Sequence, residues 1–406
     1  MNSRQRARLI LNHQEADRPA IDLGSTEVTG TSAWTYRALK RALGLPPGRV
    51  RVYNLIEMLA EVEAPVLDAL GVDFVMLPPT PLRFGLRYGS WKPLTFWDGQ
   101  TFDVPADFCP AEREDGALLT SWELGGPLEW CMPKGGRFFD QIPAQHWDPL
   151  DVEPPAPSEW RFADVIPDET LRAQEEMARA LYESCERALV AMPQVYTPDG
   201  YGGFIWFAVQ MRQDPAWCRD YLMRAAEASA RCFEQYLQAV GRYIDVLIVN
   251  LADYGMQERE WFDPELFGEF FVPAWRRCTD VVHQFPHVKA YDHCCGSIAR
   301  LVPYLIDAGI DCLNPVQWSA RNMDLRELKA RYGDKLVFWG GAVNTQRTLP
   351  FGTPDDVRRE VREILDVMCP GGGYVVNPIH NILPEVPIEN ILALYRTALT
   401  YRYHSY

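Results

Sequence analysis

Eight short apolar runs, each ending in small, polar or turn-forming residues, constrain this chain more than any other feature of its sequence. They occupy 19–24, 72–78, 189–193, 245–251, 288–293, 310–316, 336–342 and 374–379. Most are nearly continuous in Val, Ile, Leu and Phe, as a strand buried on both faces must be. From the third run onward, amphipathic stretches with apolar spacing of three and four follow at 264–284, 297–308, 324–332, 353–369 and 386–401. Strands alternating with helices call for a parallel sheet, because each crossover returns the chain to the same edge. No Gly-x-Gly-x-x-Gly follows the first run, so the expectation is a (β/α)₈ TIM barrel and not a doubly wound sheet.

The pattern changes between residues 80 and 165, a stretch rich in Trp, Phe, Gly and Pro. It predicts short antiparallel strands or irregular loop, then a Pro/Glu-rich connector at 151–159. The expected organisation is one barrel over 1–406, with 80–165 inserted as a lid or as a surface β element. A barrel of this kind grows by loop insertion, so 406 residues do not require a second domain.

Charge and cysteine usage narrow the function. The chain carries 40 Lys+Arg against 55 Asp+Glu, a net charge of −15. Nucleic-acid binding needs a basic surface, so it is excluded, and a small-molecule substrate is expected. No apolar run is long enough to span a bilayer, and the one near the N-terminus stops too early for a signal peptide. Ten scattered cysteines without a secretory signal predict reduced thiols and a cytoplasmic protein.

Chemistry concentrates at the ends of the later strands. Alternate residues on a strand face the same side, so His293 and Cys295 should project together while Cys294 points away. Imidazole and thiolate converging at a strand end suit zinc, which takes N and S ligands at about 2.0–2.3 Å. The plain alternative is a buried cysteine that only packs. The eighth run ends at Asn377, Pro378, Ile379 and His380, and polar residues at the C-terminal end of a barrel strand read as active site. His380 would therefore face the same mouth as Cys295, three strand–helix units away. After the fourth run come Asn250, Asp253 and Gln257, with Asp253 open to a catalytic or a helix-capping reading. Asn314, Gln317, Gly340, Gly341 and Asn344 complete the rim as candidate binding residues, the glycines allowing close approach of a ligand or forming tight turns.

These same residues carry a family resemblance. Asp253-Tyr-Gly, His293-x-Cys295-Gly, the stretch from Gly309 to Pro315, Phe338-Trp-Gly-Gly341 and His380-Asn-Ile-Leu-Pro resemble the uroporphyrinogen decarboxylase superfamily. The opening segment up to Pro19 is also similar to that superfamily's start. The resemblance implies the barrel fold, a homodimer and one of two chemistries. The decarboxylases use no metal and hold a tetrapyrrole's carboxylates with arginines after the first strand. Here that position runs from Asp22 with no arginine before Arg37. The other branch transfers methyl groups to or from a corrinoid (cobalamin) carried by a partner protein, and holds zinc through His-x-Cys and a later Cys. His293 and Cys295 match the first two positions; His380 stands where those enzymes have cysteine. The resemblance thus implies a zinc methyltransferase with His293, Cys295 and His380 as ligands, Asp253 and His380 as catalytic groups, and a corrinoid protein as partner. A metal-independent decarboxylase is the alternative, and a non-catalytic tetrapyrrole-binding module a third.

Overall fold

The computed structural model describes residues 1–122, 125–142, 153–193, 198, 200 and 204–403. All eight apolar runs contribute a strand: β1 (Ala20–Ile21), β2 (Phe74–Leu77), β3 (Ala188–Ala191), β4 (Val246–Asn250), β5 (Lys289–His293), β6 (Cys312–Asn314), β7 (Val337–Trp339) and β8 (Tyr374–Val376). They form one parallel sheet in the order β1-β8-β7-β6-β5-β4-β3-β2, so the chain is an α/β TIM-type barrel that is nearly closed. The ordered strands are shorter than the runs, because the runs extend into the loops that follow.

Between β1 and β2 the barrel is joined through Asp73 and not through a strand ladder. The Asp73 N–H donates to the Ile21 carbonyl at 2.8 Å, and its carboxylate accepts the Ile21 N–H at 2.9 Å. The same carboxylate takes Arg6 Nη1 at 2.8 Å and Arg18 Nη1 at 2.7 Å. Asp73 is fully buried, which is tolerable only because both guanidiniums and a backbone N–H surround it.

Two apolar layers follow from strand alternation. Ala20, Phe74, Val190, Ile248, Tyr291, Cys312, Val337, Trp339 and Val375 fill the inside of the barrel. The opposite-facing residues pack beneath the surrounding helices. Trp339 plugs the interior, with its ring centroid 4.4 Å from Phe74 and 5.3 Å from Tyr291. Its indole N–H donates to Asp22 Oδ2 at 3.0 Å. Stepping two residues along β1, β5 and β6 from that apolar layer gives Asp22, His293 and Asn314. The inward layer above the plug is therefore polar, and it forms the floor of the mouth.

Burial pushes the Asp22 carboxyl up to about 6, partly offset by hydrogen bonds from Ser25, Thr29 and Trp339. The folded state keeps this proton over a pH range where the unfolded chain has lost it. The Asp22 contribution to stability is thus greatest below about pH 4 and declines as pH rises towards 6, by about 3 kcal/mol in all. Urea midpoints measured across this range should fall in the native protein and lack that component in Asp22→Asn. Parallel profiles would contradict it.

Among its described residues the 80–165 stretch forms short antiparallel strands, one of the two outcomes its composition predicts. Trp91–Thr95 pairs with Thr101–Pro105, and a separate four-stranded sheet joins Ala111–Glu112, Leu118–Thr120, Trp130–Met132 and Asp140–Gln141. Parts of the insertion, at 123–124 and 143–152, lie outside the described residues. The rest packs on the segment after β1: Asp103 N–H donates to the Val50 carbonyl and Phe139 N–H to the Ile56 carbonyl, both at 2.8 Å. Among the described residues no helix is long and apolar enough to cross a membrane. The amphipathic stretch at 297–308 forms a helix only over Val302–Asp307. Ser297, at the start of the stretch, donates its hydroxyl to the Arg321 carbonyl at 2.6 Å.

Candidate functional site

His293 is the last residue of β5 and is 3% exposed, pointing up from the barrel floor. Its Nδ1 lies 2.6 Å from Asn314 Oδ1. The Asn314 amide nitrogen donates to the Trp339 carbonyl at 3.0 Å, so the oxygen is the atom left to face the ring. Nδ1 therefore carries the hydrogen, and the lone pair of Nε2 faces the mouth. Burial, with the nearby His380, outweighs the pull of Asp253 and brings the imidazole down to about 4. It is a neutral nitrogen donor at physiological pH.

Nε2 of His293 is 3.4 Å from Cys295 Sγ and 3.6 Å from Asp253 Oδ1. Cys294 faces the other way, its sulfur accepting the Tyr254 N–H at 3.2 Å. His380, on the loop after β8, brings its ring centroid to 5.5 Å from that of His293. One donor atom from each of His293, Cys295 and His380 lies within 4.8 Å of the others. Tetrahedral zinc with ordinary bond lengths sets S and N ligands about 3.5 Å apart, so the His293–Cys295 pair already has a suitable spacing. The Cys295 thiol is pushed well above its usual value by burial and by Asp253. Such a thiol yields its proton to a cation and not to water.

Close backbone packing holds the two loops of the site together. The Cys295 N–H donates to Asp253 Oδ1 at 2.6 Å. A Cβ on Gly255 would sit 2.4 Å from the Cys295 carbonyl oxygen, and one on Gly296, where φ is +95°, 2.6 Å from the Gly255 carbonyl carbon. Only glycine at both positions lets the loop after β4 rest on the loop after β5.

The remaining rim residues bond within the protein. Gln317 accepts the Gly296 N–H at 2.8 Å and contacts Gln257 at 3.3 Å, forming a brace under the Cys295 loop. Asn250 donates to Asp292 at 2.7 Å and accepts the Ala252 N–H at 3.1 Å, turning the chain towards Asp253. Gly340 and Gly341 have positive φ, and a side chain on them would meet the carbonyls of Pro378 and Val316 at 2.9 and 2.4 Å. They serve backbone packing. Asn344 forms a turn, its carboxamide accepting the Gln346 N–H at 2.8 Å.

Two residues at the mouth carried no sequence signal. Glu57, in the turn between Val52–Asn54 and Leu59–Ala60, accepts from the Asn381 amide at 2.6 Å and lies close enough to Cys295 to raise its thiol further. Glu27, in the loop after β1, pairs with Arg83 of the insertion at 2.8 Å. Asp22 also went unassigned from sequence, although a carboxylate at the C-terminal end of an apolar run could have flagged it.

A parallel barrel with nitrogen and sulfur donors gathered at its strand C-termini has the architecture of the α/β-barrel enzymes, whose sites lie at that mouth. The family model for uroporphyrinogen decarboxylase (URO-D) matches residues 174–401, and the chain belongs to that family. The uroporphyrinogen decarboxylase of Saccharophagus degradans is 35% identical over 102 residues, 25% of this chain and 27% of that one. This chain thus spans about a quarter of that relative's length. The Trichodesmium erythraeum uroporphyrinogen decarboxylase is 23% identical over 301 residues, 71% of this chain and 78% of its own. Among solved structures, a methyltransferase from Methanosarcina mazei aligns over 98% of both chains with a TM-score of 0.56 at 16% identity, a likeness of fold.

Proposed function

We propose that this protein is a zinc-dependent methyltransferase that moves a methyl group between a small substrate and a corrinoid protein. The observation that carries the reading is the convergence of His293, Cys295 and His380 from two strand ends 85 residues apart in sequence. The fold shared with a methyltransferase agrees with it. When bound, zinc supplies a Lewis acid that polarises a substrate heteroatom or lowers the pKa of a bound thiol. The chain's own part is to present the Nε2 lone pair of His293 with Nδ1–H tied to Asn314, and to offer the Cys295 sulfur and the His380 ring beside it. Asp253 fixes the Cys295 backbone and leaves a half-exposed carboxylate next to that group, where it can orient the substrate or take a proton.

Protein purified without added zinc should contain about one zinc per chain. Methyl transfer should then require a corrinoid protein and stop on chelation. A metal-free native protein with an intact fold would end this reading. Because Asn314 sets the His293 tautomer, Asn314→Leu should weaken zinc roughly 10–100-fold in competition with a chelator, while Asn314→Asp, which keeps an acceptor, should lose far less. Equal losses would remove Asn314 from this role.

The names of the sequence relatives favour a second reading, a metal-independent decarboxylase on the same barrel. In it Asp253 and His380 manage protons and Cys295 packs. Release of carbon dioxide that is indifferent to chelators would support it. The loop after β1 speaks against a substrate with many carboxylates, since it brings Asp22 and Glu27 to the mouth and no arginine.

A further inference from the structure

The His293, Cys295 and His380 cluster marks where a substrate must approach, and the charges around it indicate what kind of substrate that is. Of the arginines on the loops around the mouth, Arg83 is paired with Glu27 at 2.8 Å, Arg300 with Glu260 at 3.7 Å and Arg321 with Glu258 at 3.2 Å, while Arg259 and Arg347, on the loops after β4 and β7, are exposed. Glu57 and Asp253 have no Lys or Arg partner among the described residues. Glu57 is held by the Asn381 amide, next in sequence to His380, and Asp253 by the Cys295 N–H, so both carboxylates are fixed beside the cluster. The segments outside the described residues, 123–124, 143–152, 194–197, 199, 201–203 and 404–406, contain no lysine or arginine that could neutralise them. A divalent ion on one thiolate adds a single positive charge beside these two carboxylates.

An anionic substrate at the cluster would come to lie against these two carboxylates, and a neutral one would desolvate them without compensation. A cation does neither. The insertion also shows that a delocalised cation is accommodated at this corner, since the Arg83 guanidinium lies 6.0 Å over the exposed Trp122 ring. We infer that the substrate of this mouth carries a positive charge close to, but not on, the heteroatom that bears the methyl group, as an ammonium-bearing methyl ether or thioether does, with Glu57 and Asp253 as its counter-charges. This inference rests on the methyltransferase reading for the methyl group, while the charge preference stands on the carboxylates themselves.

The test is calorimetric binding of three probes to the full-length protein, with and without zinc and with no corrinoid protein present. The probes are choline, its uncharged isostere with a tert-butyl group in place of trimethylammonium, and pivalate as the anion. Choline should bind roughly tenfold or more tightly than the uncharged isostere, with pivalate weakest, and Glu57→Gln should remove most of that preference. Equal binding of cation and isostere, tighter binding of pivalate, or no binding of choline at millimolar concentration would overturn the inference. The comparison within the native protein needs no variant to fold. Because it measures binding and not turnover, a charge preference without zinc or methyl transfer separates failure of the methyltransferase reading from failure of this one.

Discussion

His293→Ala and Cys295→Ser are each expected to lose zinc almost completely, with affinity falling by several orders of magnitude, and methyl transfer should fall with it. The two side chains differ in what their loss leaves behind. His293→Ala opens a cavity above Trp339 and leaves Asn314 Oδ1 without its donor, so some stability goes with the metal. Cys295→Ser keeps the Asp253 bond to the backbone and replaces sulfur by an oxygen that zinc binds poorly as an alcohol. Cys294→Ser is the control, since its sulfur is turned to the Tyr254 N–H, which a serine oxygen can also meet. Metal content per chain, measured on all three variants, should be low, low and near native. Equal loss in Cys294→Ser and Cys295→Ser would show that the wrong cysteine has been assigned.

The second large effect is on stability and lies at the opposite end of the barrel. Asp73→Ala should cost about 3–5 kcal/mol, because it leaves the buried Arg6 and Arg18 guanidiniums without their shared carboxylate. It also removes the acceptor that joins β1 to β2. A loss of this size is a large part of the roughly 5–15 kcal/mol that holds an ordinary domain together. Asp73→Asn keeps an acceptor for Ile21 but not the charge and should fall between. Urea midpoints decide the matter; a shift in Asp73→Ala worth less than about 1 kcal/mol would mean that the two arginines find other partners.

What the sequence revealed and what it hid follow from the range of the forces involved. The eight runs were legible because burial on both faces leaves a continuous apolar signature that needs no knowledge of neighbours. The convergence of His293 and Cys295 was legible for a similar local reason, the alternation of side chains carried just past the end of one strand. His380 required the extra step that all barrel strands open on one mouth. Glu57 had no such route. Its place depends on a turn in the segment after β1 meeting Asn381 from the far end of the chain, and nothing in the local sequence encodes that contact. The rim residues show the converse: Gly340 and Gly341 could be flagged as special, but only their neighbours reveal that backbone carbonyls lie where their side chains would stand. The 297–308 stretch has helical spacing throughout, yet its first turns are given up because Ser297 and Gly296 are held by the loops of β6 and β4.

The contact of Gly255 with Gly296 has a consequence for how this protein can change. With no side chain between the two loops, a displacement of one is transmitted to the other without slack, so carboxylate and sulfur move as one rigid piece. Variation at either glycine cannot retune Asp253 without also shifting Cys295. New specificities on this scaffold would therefore have to be drawn from the facing wall, where Glu57 and Asn381 sit on separate segments.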